Sequence, residues 1–563
     1  MRRAYRPLIA LVVLVSLFAC YPTSPAVAQV GPPAVRWFYY SPDDPLAVAS
    51  FKANADRFNA ISPDYYVLAA NGTISGDNQP EADLLAHQKK MRIFPMLRNA
   101  VKGGDFDAFL NDAVARKRAV ASIAAILKNG GFDGIQLDLE QVADGSRAGL
   151  TAFVKELSVA LHREGRLVTM AIPAMTADNG SAFDYPALGS LLDYACVMAY
   201  DYHWSTGDPG PIAPAGWLEQ VAAYSVRTIA REKVLFGVNT YGLNWNLTSG
   251  GQAAEASYVQ AMAFAAREGA SSGYDAASEG GWVRYSEGGQ QHEVWHENAA
   301  SFLAKVATVE MMGMAGYAVW RIGVEDAAIW PQLGRSVASS AACERLSAAQ
   351  ASSGFAYFAE TGHTLGGRFR REWTARGGIA VSGFPLSEPF YQRSRLDGKL
   401  YLTQYFERAR FEFHPEAAGT VYAVQLGQLG REALGDRLPP PSPPAANTAA
   451  TRYFTETQHK VSNAFYQYWR ANGGLTQFGY PLSDETVVSG GDGRQIVVQY
   501  FERAASSRTQ RATRSRCSLA AWGWTRWRRR VAASRAVQAP FWPDYCFIAA
   551  IPLLWGLADW YSK

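Results

Sequence analysis

The sequence predicts an α/β protein, a (β/α)8 TIM barrel followed by small C-terminal repeat modules. Three observations lead to this prediction. Between Ala34 and about Leu333, short β-rich segments alternate with helix-like segments. One β-rich segment, residues 134–140, carries polar side chains on one face. After residue 354, a set of aromatic and glycine-containing motifs recurs with a period of about 96 residues.

Residues 1–28 have the features of a secretory signal peptide. Three arginines in the first six residues precede an apolar run, and Ala26-Val27-Ala28 is a typical cleavage site. The run is shorter than the roughly 20 residues that span a bilayer, which disfavours a membrane anchor. The stretch before Cys20 resembles a lipid-attachment motif, so a lipoprotein anchored there is the alternative. We expect a protein that is secreted or associated with the cell envelope.

The barrel is predicted over residues 34–333 from eight candidate strands. These are residues 35–40, 65–70, 93–97, 134–140, 168–173, 194–200, 234–239 and 316–320. Helical segments at 112–128, 150–164 and 298–311 lie between several of them. Alternation over some 300 residues is typical of a barrel of this kind. An open, doubly wound sheet is the alternative that the pattern allows.

Two linkers and two modules are predicted beyond the barrel. Residues 334–354, rich in alanine and serine, form a linker, and residues 436–451 form a stiff Pro-rich spacer. Module 1 covers residues 355–435, and a partial module 2 covers residues 452–504. The run YFAETGH at 357–363 recurs as YFTETQH at 453–459, and QYFER recurs at 404–408 and 499–503.

The tail, residues 505–563, departs from the repeat. It contributes +8 to a formal net charge of +4, so the first 504 residues sum to −4. Translation in a shifted register permits much of the motif that module 1 carries at 410–415, and further on a Leu-Gly-Leu-Asp-Ala-Leu run like that at 429–434. We interpret the tail as a frameshifted translation, which resequencing the gene would test. A disordered basic tail, or one that binds nucleic acid or membrane, is the alternative.

Metal and nucleotide sites have no support in the sequence. The five cysteines contain no CxxC pair, which excludes a zinc ribbon and a disulfide scaffold. His292 and His296 have i,i+4 spacing, but nothing nearby completes a metal site. The phosphate-binding patterns GxxxxGK[ST] and GxGxxG are both absent. We expect no cofactor, no metal and no nucleic-acid partner.

The polar strand at 134–140 is the candidate for chemistry. Side chains alternate between faces, so Gln136, Asp138 and Glu140 share one face and apolar residues the other. The apolar face would pack against helices, leaving the polar face inside a barrel that is normally filled by branched apolar side chains. An unpaired buried carboxylate is costly, so this face predicts a site. An exposed strand with solvated charges is the alternative.

Residues 133–140, DGIQLDLE, resemble the Asp-Gly-x-Asp-x-Asp-x-Glu signature on the fourth barrel strand of glycoside hydrolase family 18. Gln136 stands where the middle aspartate of the signature would be, which is similar to the subgroup of spore-cortex-lytic N-acetylglucosaminidases. Residues 197–204, 236–242 and 316–326 resemble the sixth, seventh and eighth strands of the same family. The likeness covers about residues 34–333, in the family's strand order.

The resemblance implies a monomeric enzyme that hydrolyses β-1,4-linked N-acetylglucosamine polymers with retention. The acetamido oxygen of the substrate acts as the nucleophile in this family. By the same resemblance, Glu140 is the general acid and then base, and Asp138 orients and stabilises the acetamido group. Tyr200 donates a hydrogen bond to that group, with Asp201 beside it. Chitin and peptidoglycan, and endo and exo action, remain open at this point.

Five aromatic residues are candidates for contact with sugar. The resemblance makes Trp320 the floor of the subsite at the scissile bond, and a plain core aromatic is the alternative. Tyr202, Trp204, Tyr241 and Trp245 are candidate stacking groups, for each of which simple packing is the alternative. Gln136 is expected to hydrogen-bond Asp138 without being able to hold its proton, which would alter the acid limb of the pH profile.

The repeat modules carry no catalytic constellation. The Phe384-Pro385 and Tyr480-Pro481 pairs, in their aromatic setting, weakly resemble Phe-Pro repeats of bacterial wall-associated enzymes, which implies attachment to the cell wall. A spacer without ligand is the alternative. Two other functions remain for the whole chain: a lectin-like barrel that binds glycan without cleaving it, which Glu140 argues against, and a structural envelope protein dominated by its repeats.

Overall fold

The computed structural model describes residues 33–100, 104–336, 355–394, 396–435, 437–489, 495–509 and 518–519, together with residues 338, 342 and 344–348. The predicted signal peptide at 1–28, Cys20 and most of the tail lie outside the described residues. Secretion, lipid attachment and the frameshift therefore stay predictions.

A closed barrel of eight parallel strands forms the centre of the structure. The strands are β1 (Val35–Tyr40), β2 (Ala60–Leu68), β3 (Met96–Asn99), β4 (Gly134–Asp138), β5 (Leu167–Pro173), β6 (Tyr194–Met198), β7 (Val234–Asn239) and β8 (Gly316–Trp320). Each strand pairs with the next, and β1 pairs with both β2 and β8. This closure confirms the predicted barrel and excludes the open sheet.

Helices cover the outside of the barrel. They are α1 (Pro45–Asn54), α2 (Pro80–Gln88), α3 (Gly104–Asn111), α4 (Ala113–Gly130), α5 (Arg147–His162), α6 (Tyr185–Leu191), α7 (Ala215–Thr228) and α9 (Ala299–Met312), whereas α8 (Tyr258–Ala265) packs on an antiparallel sheet between β7 and β8. The Asp112 carboxylate caps α4 by accepting from the Val114 amide at 2.8 Å, and Gly131 ends the helix with φ of 65°. A capping box of Asn298 and Ser301 starts α9.

Strands β2 to β6 differ from the prediction at one or both ends. Strand β3 was predicted at 93–97, β5 at 168–173 and β6 at 194–200, and the differences in β2 and β4 are the ones that need explanation. Strand β2 begins at Ala60, five residues early, because Pro63 is tolerated beside Tyr40 of β1 instead of ending the strand. Strand β4 ends at Asp138, so Glu140 lies in the loop that follows and not in the strand. The general acid candidate is therefore held by loop contacts as well as by the barrel.

An antiparallel sheet between β7 and β8, within residues 240–298, is absent from the sequence prediction; we call these residues the insertion. Its strands are Gly242–Asn246, Ala254–Ala256, Ser271–Asp275, Gly280–Glu287 and Gln290–His296. Strand 242–246 lies between 254–256 and 290–296 in the sheet. Because strand 242–246 starts three residues after β7 ends, the insertion stands beside the barrel mouth.

Among the described residues, modules 1 and 2 have the same order of elements, except that module 1 ends in an additional helix. In module 1 they are strands Ala356–Phe358 and His363–Leu365, helices α10 (Gly367–Ala375) and α11 (Gly378–Val381), strands Phe390–Arg393, Leu400–Tyr405, Arg410–Phe413 and Val424–Leu426, and helix α12 (Leu429–Leu434). In module 2 they are strands Thr451–Phe454 and His459–Ser462, helices α13 (Asn463–Ala471) and α14 (Gly474–Phe478), and strands Thr486–Ser489, Gln495–Tyr500, Ala505–Thr509 and Ser518–Leu519.

The repeated motifs hold each module together. Gln404 and Gln499 are fully buried, and each side-chain amide donates to two backbone carbonyls at 2.7–2.8 Å. Ser387 and Ser483 each accept the backbone amide of the tyrosine that follows that glutamine, at 3.0 Å. These repeated residues therefore specify the fold of the module.

Strand Ala505–Thr509 extends module 2 past its predicted end at residue 504. It pairs antiparallel with Gln495–Tyr500, as Arg410–Phe413 pairs with Leu400–Tyr405 in module 1. Ladder hydrogen bonds join backbone groups, so this pairing does not require the side chains that module 1 carries there.

Among the described residues, no helix is both long and apolar enough to cross a bilayer.

Candidate active site

The polar face of β4 leads into the barrel mouth, at the carboxyl ends of the parallel strands. Gln136 is fully buried within the barrel, whereas Asp138 and Glu140 nearer the mouth are half-buried. Gln141, the next residue, has φ of 51°, which turns the chain away from the strand direction. In this kind of barrel, catalytic groups sit at the same end of the strands.

Asn99, at the end of β3, holds the backbone that carries Glu140. Its side-chain nitrogen donates to the Glu140 carbonyl at 2.9 Å, and its side-chain oxygen accepts from the Glu140 amide at 3.0 Å. Because Glu140 has left the strand ladder, this amide pair fixes its backbone in place of strand pairing. Sequence reasoning missed Asn99, although a polar residue at the end of a buried strand was the available signal.

Tyr200, just after β6, lies close to the acidic residues. Burial raises the pKa of its hydroxyl well above the usual value. The carboxylates of Asp138, Asp201 and Glu140 raise this pKa further, and Asp138 has the largest effect of the three. The Tyr200 hydroxyl therefore stays protonated as a hydrogen-bond donor, and the charges that act on it are those of the three predicted carboxylates.

Asp201 is held in an unusual backbone conformation at the mouth. Its φ is 60°, and its carboxylate accepts a hydrogen bond from the Tyr241 hydroxyl. The residue as a whole is exposed, and partial burial of its carboxyl group, which bonds to Tyr241, raises its pKa. The charges of Glu140 and Glu255 raise the pKa further, while the bond from Tyr241 opposes the shift.

Trp320 ends β8 and borders the same space. It is half-buried, and its ring meets Tyr39 edge-on at 5.3 Å between centroids. The peptide bond from Trp320 to Arg321 is cis. Arg321 pairs with Asp44 and, at 2.9 Å, with Glu255, so the chain after the tryptophan is fixed to the start of α1 and to the insertion strand Ala254–Ala256. An indole that is half-exposed at this position can form an apolar floor for a ligand.

Gln136 belongs to a polar layer inside the barrel. Its nitrogen donates to the Tyr39 hydroxyl at 2.7 Å, and its oxygen accepts from Thr169 and from the Cys196 thiol. The described hydrogen bonds of Gln136 therefore run to Tyr39, Thr169 and Cys196, where the sequence predicted a bond to Asp138. Thr169 lies opposite Gln136 on the neighbouring strand β5, which explains the hydrogen bond between their side chains. Burial raises the pKa of Cys196 to about 12, so the layer carries a neutral thiol.

The remaining aromatic candidates divide into two pairs. Tyr202 and Trp204 are 48% and 54% exposed in the loop after β6, where a sugar ring could reach them. Tyr241 and Trp245 are 6% and 3% exposed, and the Trp245 indole nitrogen donates to the Gly207 carbonyl at 3.0 Å. Tyr241 and Trp245 are therefore packed in the core where the insertion meets the barrel. Tyr241 affects the site through its hydrogen bond to Asp201.

No metal centre accompanies these residues in the described parts of the chain. There, no group of three or more His, Cys, Asp and Glu side chains is arranged to hold an ion. His292 contacts the Asn244 side chain and stacks on Tyr285, whereas the His296 ring lies tilted against Tyr258. The site contains the carboxyl group of Glu140, the carboxylate of Asp138, the Tyr200 hydroxyl as a hydrogen-bond donor, and the indole ring of Trp320.

Comparison with known proteins identifies the barrel. The family model described as glycosyl hydrolases family 18 matches residues 37–325. The cortical fragment-lytic enzyme of Bacillus subtilis is 30% identical over 230 residues, which are 39% of this chain and 53% of that enzyme. A chitinase from Chromobacterium violaceum, of known crystal structure, is 29% identical with a TM-score of 0.51, covering 54% of this chain and 99% of that one. The chain thus spans about half the length of the Bacillus relative.

Proposed function

The chain belongs to glycosyl hydrolases family 18, and from this membership we propose that it hydrolyses β-1,4-linked N-acetylglucosamine polymers, peptidoglycan or chitin. The proposed mechanism is substrate-assisted and retains the anomeric configuration. One observation carries the proposal. The polar face of β4 leads to Asp138 and Glu140 at the barrel mouth, where Asn99 holds the Glu140 backbone by two hydrogen bonds and the charges of both carboxylates act on Tyr200.

In the first step, Glu140 protonates the glycosidic oxygen while the acetamido oxygen attacks the anomeric carbon. The glycosidic bond breaks, and the sugar closes into an oxazolinium ion with its positive charge beside Asp138. Tyr200 donates a hydrogen bond to the acetamido group, and its raised pKa keeps that proton in place. Asp138 and Tyr200 are held in position before the substrate binds, so they reorganise little as positive charge develops on the sugar.

In the second step, the Glu140 carboxylate removes a proton from water as that water attacks the anomeric carbon. Two displacements at one carbon restore the original configuration. Asp201 lies at the same end of the barrel, where burial and then the charge of Glu140 raise the pKa of its carboxyl. Trp320 would lie beneath the reacting sugar, and the exposed Tyr202 and Trp204 would contact sugars further along the polymer.

Assays on purified peptidoglycan and on chitin would show which of the two polymers is the substrate. A cortical fragment-lytic enzyme and a chitinase are both among the relatives, which supports either substrate. We expect the purified chain to release reducing ends from peptidoglycan or chitin, with the β-anomer as the first product by NMR. The Glu140→Gln variant is the control. Equal rates for the two proteins would overturn the enzyme proposal, and an α-anomer first would overturn retention.

Export to the cell envelope is part of the proposal. The arginines and apolar run within residues 1–28 support it, and N-terminal sequencing of the mature protein would test it. Attachment to the wall through modules 1 and 2 has weaker support. Their repeated residues, such as Gln404 and Gln499, are buried within the modules and so serve folding first.

Replacing Gln136 by Asp tests the role of the neutral amide. The introduced carboxyl would be buried on the face that carries Asp138, where burial favours its protonated form. Aspartate is one methylene shorter than Gln136, so its carboxyl need not keep the bonds to Tyr39, Thr169 and Cys196, and donation from it to Asp138 would stabilise the ionised form of Asp138. We therefore expect the acid limb of the kcat/KM profile to move to lower pH by about 0.5–1 unit, with activity retained. Gln136→Asn is the matched control, since it shortens the side chain equally but keeps the amide; an unshifted profile in Gln136→Asp would contradict the idea.

Replacing Asn99 by Ala tests the clamp on Glu140. The variant loses both hydrogen bonds to the Glu140 backbone, at 2.9 and 3.0 Å. We expect kcat to fall by about 10–100-fold with KM changed far less, because the acid is misplaced after substrate has bound. Asn59→Ala is the control, since Asn59 makes the same kind of paired bond to Ala34 and Arg36 at the other end of the barrel. An equal loss in both variants would indicate a general stability effect.

A further inference from the structure

Module 1 is joined to the barrel by an apolar core and by ion pairs. Its buried side chains, including Leu365, Phe369 and Phe411, belong to one continuous cluster with those of the barrel. Module 2 has a separate cluster built around Phe465 and Trp469. Module 1 is therefore packed as part of the barrel domain, whereas module 2 has its own core.

The ion pairs lie on one face of α10, where Arg368 and Arg371 are three residues apart. Arg368 donates to the Glu219 carboxylate of α7 at 2.7 Å. Arg371 pairs with that same carboxylate through one nitrogen and with Glu279 of the insertion through another. One guanidinium thus links module 1, the barrel wall and the insertion.

All of these charges are withdrawn from solvent. The side chains of Arg368 and Glu279 are 8% and 9% exposed, and those of Arg371 and Glu219 are 19% and 15% exposed. Removing one partner from such a group leaves an uncompensated buried charge. The contact therefore requires all four residues.

Module 2 lacks the docking charges. At the positions equivalent to Arg368 and Arg371, its helix α13 carries Ala464 and Gln467. The aromatic residues of the same helices are retained, with Trp373 matched by Trp469. The two arginines are therefore particular to the module that touches the barrel.

Glu279 connects the docking contact to the active site. It has φ of 57° in the turn before strand Gly280–Glu287, and the neighbouring Ser278 carbonyl accepts from the first amide of α7 at 3.0 Å. That strand pairs with Gln290–His296, which pairs with Gly242–Asn246. The residue before this last strand is Tyr241, whose hydroxyl donates to Asp201.

We propose that module 1 is a working part of the catalytic domain, and that Arg371 and Glu279 are positioning residues that hold the insertion, and with it Tyr241, against the barrel mouth. The catalytic part of this inference rests on the proposed function. The docking part does not rest on the proposed function, since it concerns only whether the ion pairs keep the insertion in a fixed structure.

The test compares full-length Arg371→Met with Gln467→Met, the same replacement at the matched position of module 2. We expect amide hydrogen exchange in residues 242–246 to become about tenfold faster in Arg371→Met only, with the β1 and β2 amides unchanged. On a long oligosaccharide we expect kcat/KM to fall about tenfold, mainly through KM, again in that variant only.

Glu279→Gln keeps the shape of its side chain and serves where Arg371→Met fails to fold. In a double-mutant cycle, Glu279→Gln and Arg371→Met should be strongly non-additive in kcat/KM. Unchanged exchange in residues 242–246 would overturn the docking, and faster exchange with unchanged kcat and KM would overturn the positioning role. If the wild type cleaves none of the polymers, the proposed function fails, while the exchange result still decides whether the dock orders the insertion.

Discussion

Glu140→Gln is expected to lower kcat on the natural polymer by about 10³-fold while KM changes little. Glutamine has nearly the shape of glutamate but cannot deliver a proton to the leaving oxygen or take one from water. The two hydrogen bonds from Asn99 reach the backbone of residue 140, so the replacement does not disturb them. The measurement is release of reducing ends at saturating substrate.

An activated substrate separates loss of the acid from loss of the site. An aryl glycoside with a good leaving group needs little protonation, so its first step should recover most of its rate in Glu140→Gln, seen as a burst of released phenol. Glu164→Gln is the control, because Glu164 is exposed beyond the end of α5. A variant that cleaves the polymer at the wild-type rate would exclude Glu140 as the acid.

The barrel could be predicted because its local signals and its final packing agree. A strand buried on both sides is a continuous apolar run, as in β7 and β8, and both were predicted at their observed bounds. Helices α4 and α9 begin one residue after Asp112 and Asn298, the two residues at which they were predicted to start. Strand β2 was misplaced because its first residues include a proline whose pairing with β1 depends on the closed barrel.

The insertion and the docking of module 1 could not be predicted in the same way. The insertion strands are half-exposed and rich in glycine and charge, as in Gly280–Glu287, so they lack the apolar run that marked the barrel strands. The link from Arg371 to Glu219 and Glu279 joins residues 152 and 92 positions apart. Charges so distant in sequence are paired by the fold, and no local pattern indicates which arginine will meet which glutamate.

The candidate site was predicted through its motif, and the residues that support it were missed. Asp138, Glu140, Tyr200 and Asp201, which two motifs indicated, lie at the same end of the barrel, and their catalytic roles stay predictions. Tyr39 and Asn99 bring no motif of their own, but each is a polar residue on a buried strand that ends at the mouth. The loop position of Glu140 was also missed, since alternation of polar residues continues past the last strand hydrogen bond.

Asp138→Asn is expected to lower kcat by about 10²–10³-fold, the second largest effect among these variants. Removing the carboxylate leaves the oxazolinium ion without its neighbouring negative charge, whereas the neutral ground state loses much less. KM should therefore change little. Release of reducing ends at saturating substrate, compared between wild type and variant, measures this loss of kcat.

The electronic demand of the acetamido group shows whether Asp138 acts on it. A trifluoroacetamido substrate has a weaker nucleophile, and an enzyme that assists the acetamido group should lose rate on it in proportion to that weakness. We expect this dependence to be steeper in Asp138→Asn than in wild type, because the variant supplies less stabilisation of its own. Tyr200→Phe should give a smaller loss of kcat, and the double variant should lose little more than Asp138→Asn, since both groups act on one substituent. Additive losses would instead mean that Asp138 and Tyr200 act on different atoms, and the substrate-assisted geometry would then not describe this site.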